Sequence, residues 1–152
     1  MPQLKSDVVE VFVVRWQNGR IETLLGKRRT QQPFGAIWQP MTTRIELNEP
    51  TVEAAKRAVY RGSGLQISDL FAIDRMHQFF DHQRDMVVIA PVLAAKVHAT
   101  QSRPGQDFEA MEWFDTPTAI ANLFIAGHRD SLRRVVELLG PGGSEIELYR
   151  LV

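Results

Sequence analysis

The sequence feature that most constrains the fold is a central helix whose two ends are marked by residue type. Pro50 and Thr51 form its opening turn, where a proline costs no hydrogen bond, and Gly64 ends it as a C-terminal glycine. One face of the helix is apolar, so it has to pack against another element. The other face carries charges every four residues: Glu49, Glu53, Arg57 and Arg61. This spacing predicts an ion pair between Glu53 and Arg57.

Length and composition bound the class of protein. The chain has 152 residues, 44% of them hydrophobic and 24% charged, which fits one ordinary globular domain over residues 1–152. Eighteen basic and eighteen acidic residues cancel, so net charge gives no reason to expect nucleic acid or an anionic membrane as a partner. The sequence has neither the apolar stretch of a signal peptide nor a run long enough to cross a membrane. We therefore expect a cytoplasmic protein.

Cysteine chemistry is excluded, because the chain contains no cysteine. The four histidines, at positions 77, 82, 98 and 128, show no spacing typical of a metal site. We interpret each as a surface residue or a hydrogen-bonded structural residue. No metal ligand is assigned from the sequence.

Two hairpins are predicted from strand and turn signals. Residues 8–15 and 21–26 flank Asn18-Gly19, a dipeptide that tight hairpin turns prefer. The first of these strands has one polar residue in seven, which predicts burial on both faces in the middle of a sheet. Residues 70–80 and 86–97 predict the second hairpin, with Pro91 at a bulge or on an edge strand.

The C-terminal part predicts a strand at 110–114, a short helix at 116–124 and an amphipathic helix at 128–139. In the tail, residues 140–152, apolar residues alternate with polar ones, which predicts an edge strand or a contact with a second subunit, hence a homodimer. Strands around one central helix, with further helices at the end, predict an α/β sandwich with a mixed, mostly antiparallel sheet.

Residues 38–65 resemble the Nudix box, the loop-helix-loop signature of pyrophosphohydrolases. Its pattern is G-x5-E-x7-R-E-U-x-E-E-x-G-U, where U is aliphatic, and it aligns with this chain without a gap. The matching residues are Glu49, Arg57, Val59, Gly64 and Leu65. Four positions depart from the pattern: Thr43 replaces the first glycine, and Ala58, Arg61 and Gly62 replace three glutamates.

The resemblance extends beyond the box. The basic residues that end the first hairpin, the Trp38-Gln39-Pro40 segment, and Asp107 with the following Trp113-Phe114-Asp115 are similar to nucleoside and dihydroneopterin triphosphate pyrophosphohydrolases. The resemblance implies a Nudix-like α/β/α sandwich. It also implies hydrolysis of a nucleoside diphosphate linked to another group, with Mg²⁺ or Mn²⁺ as cofactor.

The departures change what the resemblance implies about chemistry. In the family, the glutamates at positions 58, 61 and 62 hold the metal ions that neutralise the substrate phosphates. Here that face goes from three negative charges to one positive charge, so magnesium-dependent hydrolysis is expected to be weak or lost. Restoring the three glutamates is expected to create metal-dependent turnover.

Candidate site residues follow from the alignment and from charge. We assign any remaining catalysis to Glu49, Arg57 and Asp107, and the binding of a nucleotide or other phosphate-containing small molecule to five residues: Arg28, Arg29, Trp38, Arg44 and Arg61. A relocated metal site built from Glu46, Glu49 and Glu53 and a metal-free cationic cleft both stay open. So do two functions: a pyrophosphohydrolase with rearranged ligands, or a non-catalytic module that binds a nucleotide or a partner protein.

Overall fold

The computed structural model describes residues 1–31, 35–98, 101–140 and 144–152. These residues form eight strands, three α-helices and one 3₁₀ helix. The strands are β1 (Gln3–Lys5), β2 (Val8–Gln17), β3 (Arg20–Arg28), β4 (Trp38–Gln39), β5 (Met41–Arg44), β6 (Asp69–Asp81), β7 (Met86–Lys96) and β8 (Phe108–Asp115). The helices are α1 (Thr51–Ser63), α2 (Thr116–Asn122), α3 (Ala126–Leu139) and the 3₁₀ helix (Ser144–Tyr149).

The strands join one mixed sheet with β7, β2 and β3 at its centre. β2 lies parallel to β7 and antiparallel to β3 and β5. β1 pairs in parallel and β6 antiparallel with β7, whereas β4 and β8 both pair antiparallel with β3. Antiparallel pairings therefore predominate, and the predicted mixed, mostly antiparallel sheet is confirmed.

Both predicted hairpins form. Asn18 and Gly19 have φ angles of 53° and 75°, the positive values that a two-residue hairpin turn between β2 and β3 requires. In the second hairpin, the register of β6 shifts between Ala72 and Met76, and Met76 lies opposite Pro91 of β7. Pro91 thus lies beside a bulge, which relieves its missing ladder hydrogen bond.

Side chains of the central strand β2 divide between two hydrophobic cores. Val9, Val11 and Val13 pack on the face that α1 covers. Phe12 and Val14 pack on the opposite face, against α2, α3 and the 3₁₀ helix. Because both faces of the sheet carry helices, the molecule is an α/β/α sandwich.

The C-terminal tail differs from its prediction. Residues 144–149 form a 3₁₀ helix instead of an edge strand, and Ile146 is buried in the core beside α3. A single bridge joins Arg150 to Phe71 of β6, and the N–H of Leu151 donates to the carbonyl of Leu70. Ile146 and Tyr149 of the 3₁₀ helix thus pack on the core, whereas Leu148 is exposed. Strand β1 carried no strand signal and was missed.

Across the described residues, no helix is both long and apolar enough to cross a membrane.

Candidate functional site

Arg57 of α1 holds the loop that precedes its own helix. Its Nε and Nη2 donate to the two carboxylate oxygens of Glu49 at 2.9 and 2.8 Å, Nη1 donates to the Thr43 hydroxyl at 3.2 Å, and Nη2 donates to the Arg44 carbonyl at 2.8 Å. The Arg57 guanidinium, with the backbone N–H of Glu46, lowers the pKa of Glu49 from 4.5 to about 2. Glu49 is therefore ionised and engaged through both oxygens, so in this arrangement it positions the loop.

The predicted ion pair between Glu53 and Arg57 does not form. Arg57 pairs with Glu49 instead, because its planar guanidinium makes a strong two-point contact with that carboxylate. Glu53 lies 3.5 Å from Lys56 Nζ. Glu46 lies 3.9 Å from Arg57 Nη1. Within the described ranges, Glu46, Glu49 and Glu53 do not converge as metal ligands, so the relocated metal site finds no support in this geometry.

The three positions that hold metal-binding glutamates in the Nudix box cannot bind Mg²⁺ here. Ala58 offers no donor atom, and Arg61 is an exposed cation. Gly62 is buried: a Cβ at this position would lie 2.8 Å from Met41 Sδ and 3.3 Å from the Phe108 ring. Since Mg²⁺ and Mn²⁺ require hard oxygen ligands, the residues present do not fit the family's cofactor.

A cavity of about 130 Å³ opens beside Ala58, Arg61 and Gly62. Its wall includes four of the candidate site residues: Arg28, Arg57, Arg61 and Asp107. Backbone of β5 and of the loop at 101–107 completes it. Because Arg57 is already paired with Glu49, the cations that remain for an anion in this cavity are Arg28 and Arg61, with the Asp107 carboxylate beside them.

Arg28, at the end of β3, is the most enclosed of these cations. Its Nη2 donates to the Thr42 carbonyl at 3.1 Å, and its guanidinium carbon lies 5.9 Å from the centre of the Phe108 ring. Its buried Nε has no hydrogen-bond partner within the described part of the chain. Burial lowers the pKa of Arg28, and the nearby Asp107 carboxylate raises it in part. A half-buried guanidinium that lines this cavity is a suitable anion ligand.

A second cavity of about 750 Å³ shares Arg28 and Asp107 with the first. It extends from β5 to the turn between β6 and β7, where residues 79–84 form its far wall. Arg44 lines this cavity with an exposed side chain, and its Nη2 lies 3.3 Å from Asp7 Oδ2. The two cavities together form a cleft in which a small charged pocket adjoins a larger chamber with an aromatic wall.

The loop at 101–107 closes the cleft over the C-terminal end of α1. The N–H of Gly105 donates to the Gly62 carbonyl at 2.9 Å, and a Cβ at Gly105 would collide with the Arg61 carbonyl oxygen. Arg29 ties the other side of the loop: its Nε donates to the Gln106 carbonyl at 2.7 Å. Glycine at 105 thus permits the close approach that positions Asp107.

Two of the predicted ligand-binding residues lie outside the cleft walls. Arg29 is engaged with the loop, as described above. Trp38 packs edge-to-face on Phe114, with ring centroids 5.1 Å apart, and borders the core on the α2 and α3 side. Arg28, Arg44 and Arg61 line the cleft.

Sequence reasoning missed a buried cluster of Glu10, His77 and His128 on the opposite face of the sheet from α1. Both Glu10 oxygens lie 2.8 to 2.9 Å from His77 Nδ1, and Oε1 lies 2.8 Å from His128 Nε2. Burial raises the pKa of Glu10, but hydrogen bonds from the two histidines outweigh it and lower the pKa overall. The signal was the single glutamate in a strand predicted to be buried on both faces, since a buried carboxylate needs partners.

Comparison with solved structures identifies the fold. A NUDIX hydrolase from Listeria monocytogenes superposes with a TM-score of 0.78 at 16% identity, covering 91% of this chain and 97% of that one. The NUDIX domain of Shewanella oneidensis NrtR, complexed with ADP-ribose, gives 0.74 at 12% identity over 92% and 90% of the two chains. The Escherichia coli dihydroneopterin triphosphate pyrophosphohydrolase gives 0.69 at 19% identity over 90% and 99%. This chain has the Nudix fold, as predicted.

Sequence comparison adds one relative. No model of a protein family matches the chain. An octanoyltransferase from Myxococcus xanthus is 30% identical over 129 residues, which are 83% of this chain and 35% of that protein. The chain therefore spans about a third of the length of this curated relative.

Proposed function

We propose that this chain is a Nudix-fold module that binds a nucleotide or a related phosphate-containing small molecule without a metal in its box, its magnesium-dependent hydrolysis weak or lost. The observation that carries the proposal is the charge of the smaller cavity. Arg28, Arg57 and Arg61 line the place where the box of the family carries glutamates around metal ions. Guanidinium groups can neutralise a phosphate directly, so the module can bind a phosphate-containing ligand without the metal ions that hydrolysis requires.

The shape of the cleft supports a ligand with a charged end and a larger, less polar end. Arg28 lines both cavities, so its guanidinium is placed to contact a phosphate held between them. Phe79 and Phe80 line the larger chamber, a suitable surface for a base or another flat ring. ADP-ribose, the ligand of the Shewanella NrtR domain, has this two-part character. A nucleoside diphosphate linked to a second group is therefore the ligand class that we propose.

Calorimetric titration with ADP-ribose, a nucleoside triphosphate and inorganic phosphate tests the proposal, each with Mg²⁺ and with a chelator in excess. We expect binding of at least one nucleotide whose Kd is unchanged by the chelator, and no release of phosphate or pyrophosphate. Binding that requires Mg²⁺, or turnover at an ordinary enzymatic rate that the chelator abolishes, would support a hydrolase instead.

A second candidate function is a regulatory module that acts on a partner protein. The match to about a third of an octanoyltransferase favours it, because the matching stretch there is part of a longer polypeptide that is named for another activity. Measuring octanoyl transfer by the Myxococcus xanthus protein with and without ADP-ribose or a nucleoside triphosphate tests it. A ligand-dependent rate supports a regulatory role for the shared region, and an unchanged rate at saturating ligand argues against it.

Cytoplasmic location and a homodimer stay predictions. Sedimentation equilibrium of the purified chain decides the second, since a dimer has twice the monomer mass.

A further inference from the structure

We propose that Glu10, His77 and His128 form a binding site for one transition-metal ion of the zinc class, between the sheet and α3. This site lies on the face of the sheet opposite α1, so it is separate from the box cleft and independent of the function proposed for it. The three residues come from three elements that meet only in the folded chain: β2, β6 and α3.

The geometry brings three ligand atoms to one point. One donor atom from each residue lies within 4.8 Å of the other two. Ligands around a tetrahedral Zn²⁺, with bonds of about 2.0 to 2.1 Å, are about 3.3 Å apart. The Glu10 oxygens now lie 2.8 to 2.9 Å from the imidazole nitrogens, so they have to move outward to admit an ion, while the widest spacing between ligand atoms, up to 4.8 Å, has to shrink.

The packing around the cluster is close on the helix side. Side-chain exposure is 2% for Glu10, 5% for His128 and 12% for His77. A Cβ at Gly127, in the first turn of α3, would lie 2.9 Å from His77 Nε2, so only glycine lets the helix approach the imidazole this closely. The arrangement therefore fixes ligand directions in advance, and little side-chain freedom is lost when an ion binds.

The donor set selects the type of metal. Two imidazole nitrogens and one carboxylate oxygen suit Zn²⁺ and its neighbours in the first transition row, whereas Mg²⁺ and Ca²⁺ prefer oxygen alone. A dication also compensates the buried Glu10 carboxylate more strongly than two hydrogen-bonded imidazoles do. The imidazole nitrogens that now face Glu10 have to be free of hydrogen to coordinate the ion, so each neutral ring then carries its hydrogen on its other nitrogen.

Three protein ligands leave a fourth coordination position, to be filled by water or another small donor. None of the three ligand residues lines the cleft, although two neighbours do: Val8, two residues before Glu10 in β2, and Phe79, whose ring lies 5.5 Å from the His77 ring. Because the ligands join α3 to β2 and β6, binding is expected to raise the thermal midpoint of unfolding.

Titration of chelator-treated, dialysed protein with Zn²⁺ in competition with a chromophoric chelator tests the proposal, together with the visible spectrum of the Co²⁺-loaded protein. We expect one ion per chain with a micromolar or lower Kd and an intense tetrahedral Co²⁺ spectrum. Glu10→Gln and His77→Gln are each expected to weaken Zn²⁺ binding at least about tenfold. His98→Gln removes an exposed histidine outside the cluster and is the matched control, with unchanged affinity.

Two outcomes would overturn the proposal: no stoichiometric binding by the wild-type chain at micromolar Zn²⁺, or equal affinity in wild type and His77→Gln. If Glu10→Gln does not fold, imidazole NMR of the wild type decides the point. Zn²⁺ has to perturb the signals of His77 and His128 and leave those of His82 and His98 in place. Perturbation confined to His82 and His98 assigns the ion to the surface and refutes the buried site.

Discussion

Arg57 and Glu49 form a two-point ion pair in which both carboxylate oxygens accept from one guanidinium, at 2.9 and 2.8 Å. The pair joins α1 to the loop that precedes it, and the same guanidinium holds the Arg44 carbonyl of β5. Both residues match the Nudix pattern. Their contacts explain how the loop-helix-loop keeps its shape although the glutamates that hold metal in the family are replaced.

Replacement of Glu49 by Gln is expected to destabilise the chain at neutral pH and progressively less in acid. The folded-state pKa of Glu49 is lowered from 4.5 to about 2, so the stability that its charge contributes is complete above the unfolded value and is lost as pH falls towards the folded one. Thermal unfolding of wild type and Glu49→Gln between about pH 6 and about pH 2 measures this. A difference in midpoint that stays constant over that range would contradict the ion pair.

Replacement of Arg28 by Gln is expected to weaken ADP-ribose binding about ten- to a hundredfold, because a hydrogen bond to a charged group contributes about 1.5 to 3 kcal/mol. Arg28→Lys keeps the charge but loses the planar fork, so its affinity should lie between the two. Arg133→Gln is the matched control, since Arg133 is exposed on α3 and pairs with Asp130. Equal affinity in wild type and Arg28→Gln, measured by calorimetry without metal, would remove Arg28 from the site.

Rebuilding the metal site is expected to work with two glutamates and fail with three. Ala58→Glu combined with Arg61→Glu supplies two carboxylates beside the smaller cavity, so we expect Mg²⁺ or Mn²⁺ binding that the wild type lacks. Adding Gly62→Glu forces a Cβ against Met41 and Phe108, and overpacking of this kind costs about 1 to 3 kcal/mol. Metal titration and thermal unfolding of both variants measure the outcome. This corrects the sequence-based expectation that all three glutamates could be restored together.

The fold was predictable because its signals are local. Asn18-Gly19 fixed the first hairpin, and Pro50 and Gly64 marked the ends of α1 within a residue of their observed positions. The edge strand, one of two alternatives predicted for the tail, does not form over residues 144–149, because their apolar spacing also fits a short 3₁₀ helix in which Ile146 packs beside α3. The other alternative, a contact with a second subunit, stays a prediction.

The site was predictable only in part. Of the candidates that the alignment and the charge pattern gave, Arg28, Arg57, Arg61 and Asp107 line the smaller cavity, since the box and the ends of its neighbouring strands are positioned by the fold itself. The Glu10 cluster could not be read from spacing, because Glu10 and His77 are 67 residues apart and meet only through the sheet. The sequence also could not show which arginines line the cleft, because that depends on side-chain direction. Arg29, for example, donates to the Gln106 carbonyl and holds a loop.

Gly105→Ala is expected to lower both stability and ligand affinity, because the added methyl group collides with the Arg61 carbonyl and displaces the loop that carries Asp107. We expect a loss of about 1 to 3 kcal/mol in the free energy of unfolding and a several-fold rise in the Kd for ADP-ribose. Gln101→Ala, at an exposed position of the same loop, is the control. Wild-type affinity in a folded Gly105→Ala variant would show that the loop position does not matter for binding.

Asp107→Asn distinguishes a metal-free binding module from a metal-dependent hydrolase, because the two functions predict opposite effects of this substitution on ligand binding. In a metal-free cationic cleft, the Asp107 carboxylate repels an anionic ligand. Removing this negative charge is expected to improve the free energy of binding by about 0.5 to 1 kcal/mol, which is about two- to fivefold tighter binding. In a metal-dependent hydrolase, the carboxylate contributes to holding the ion or activating water, so the same change weakens metal-dependent binding or turnover. Calorimetry with ADP-ribose in chelator and a phosphate-release assay in Mg²⁺ read the two effects separately. Tighter metal-free binding without turnover supports the binding module, and weaker binding in chelator would contradict it.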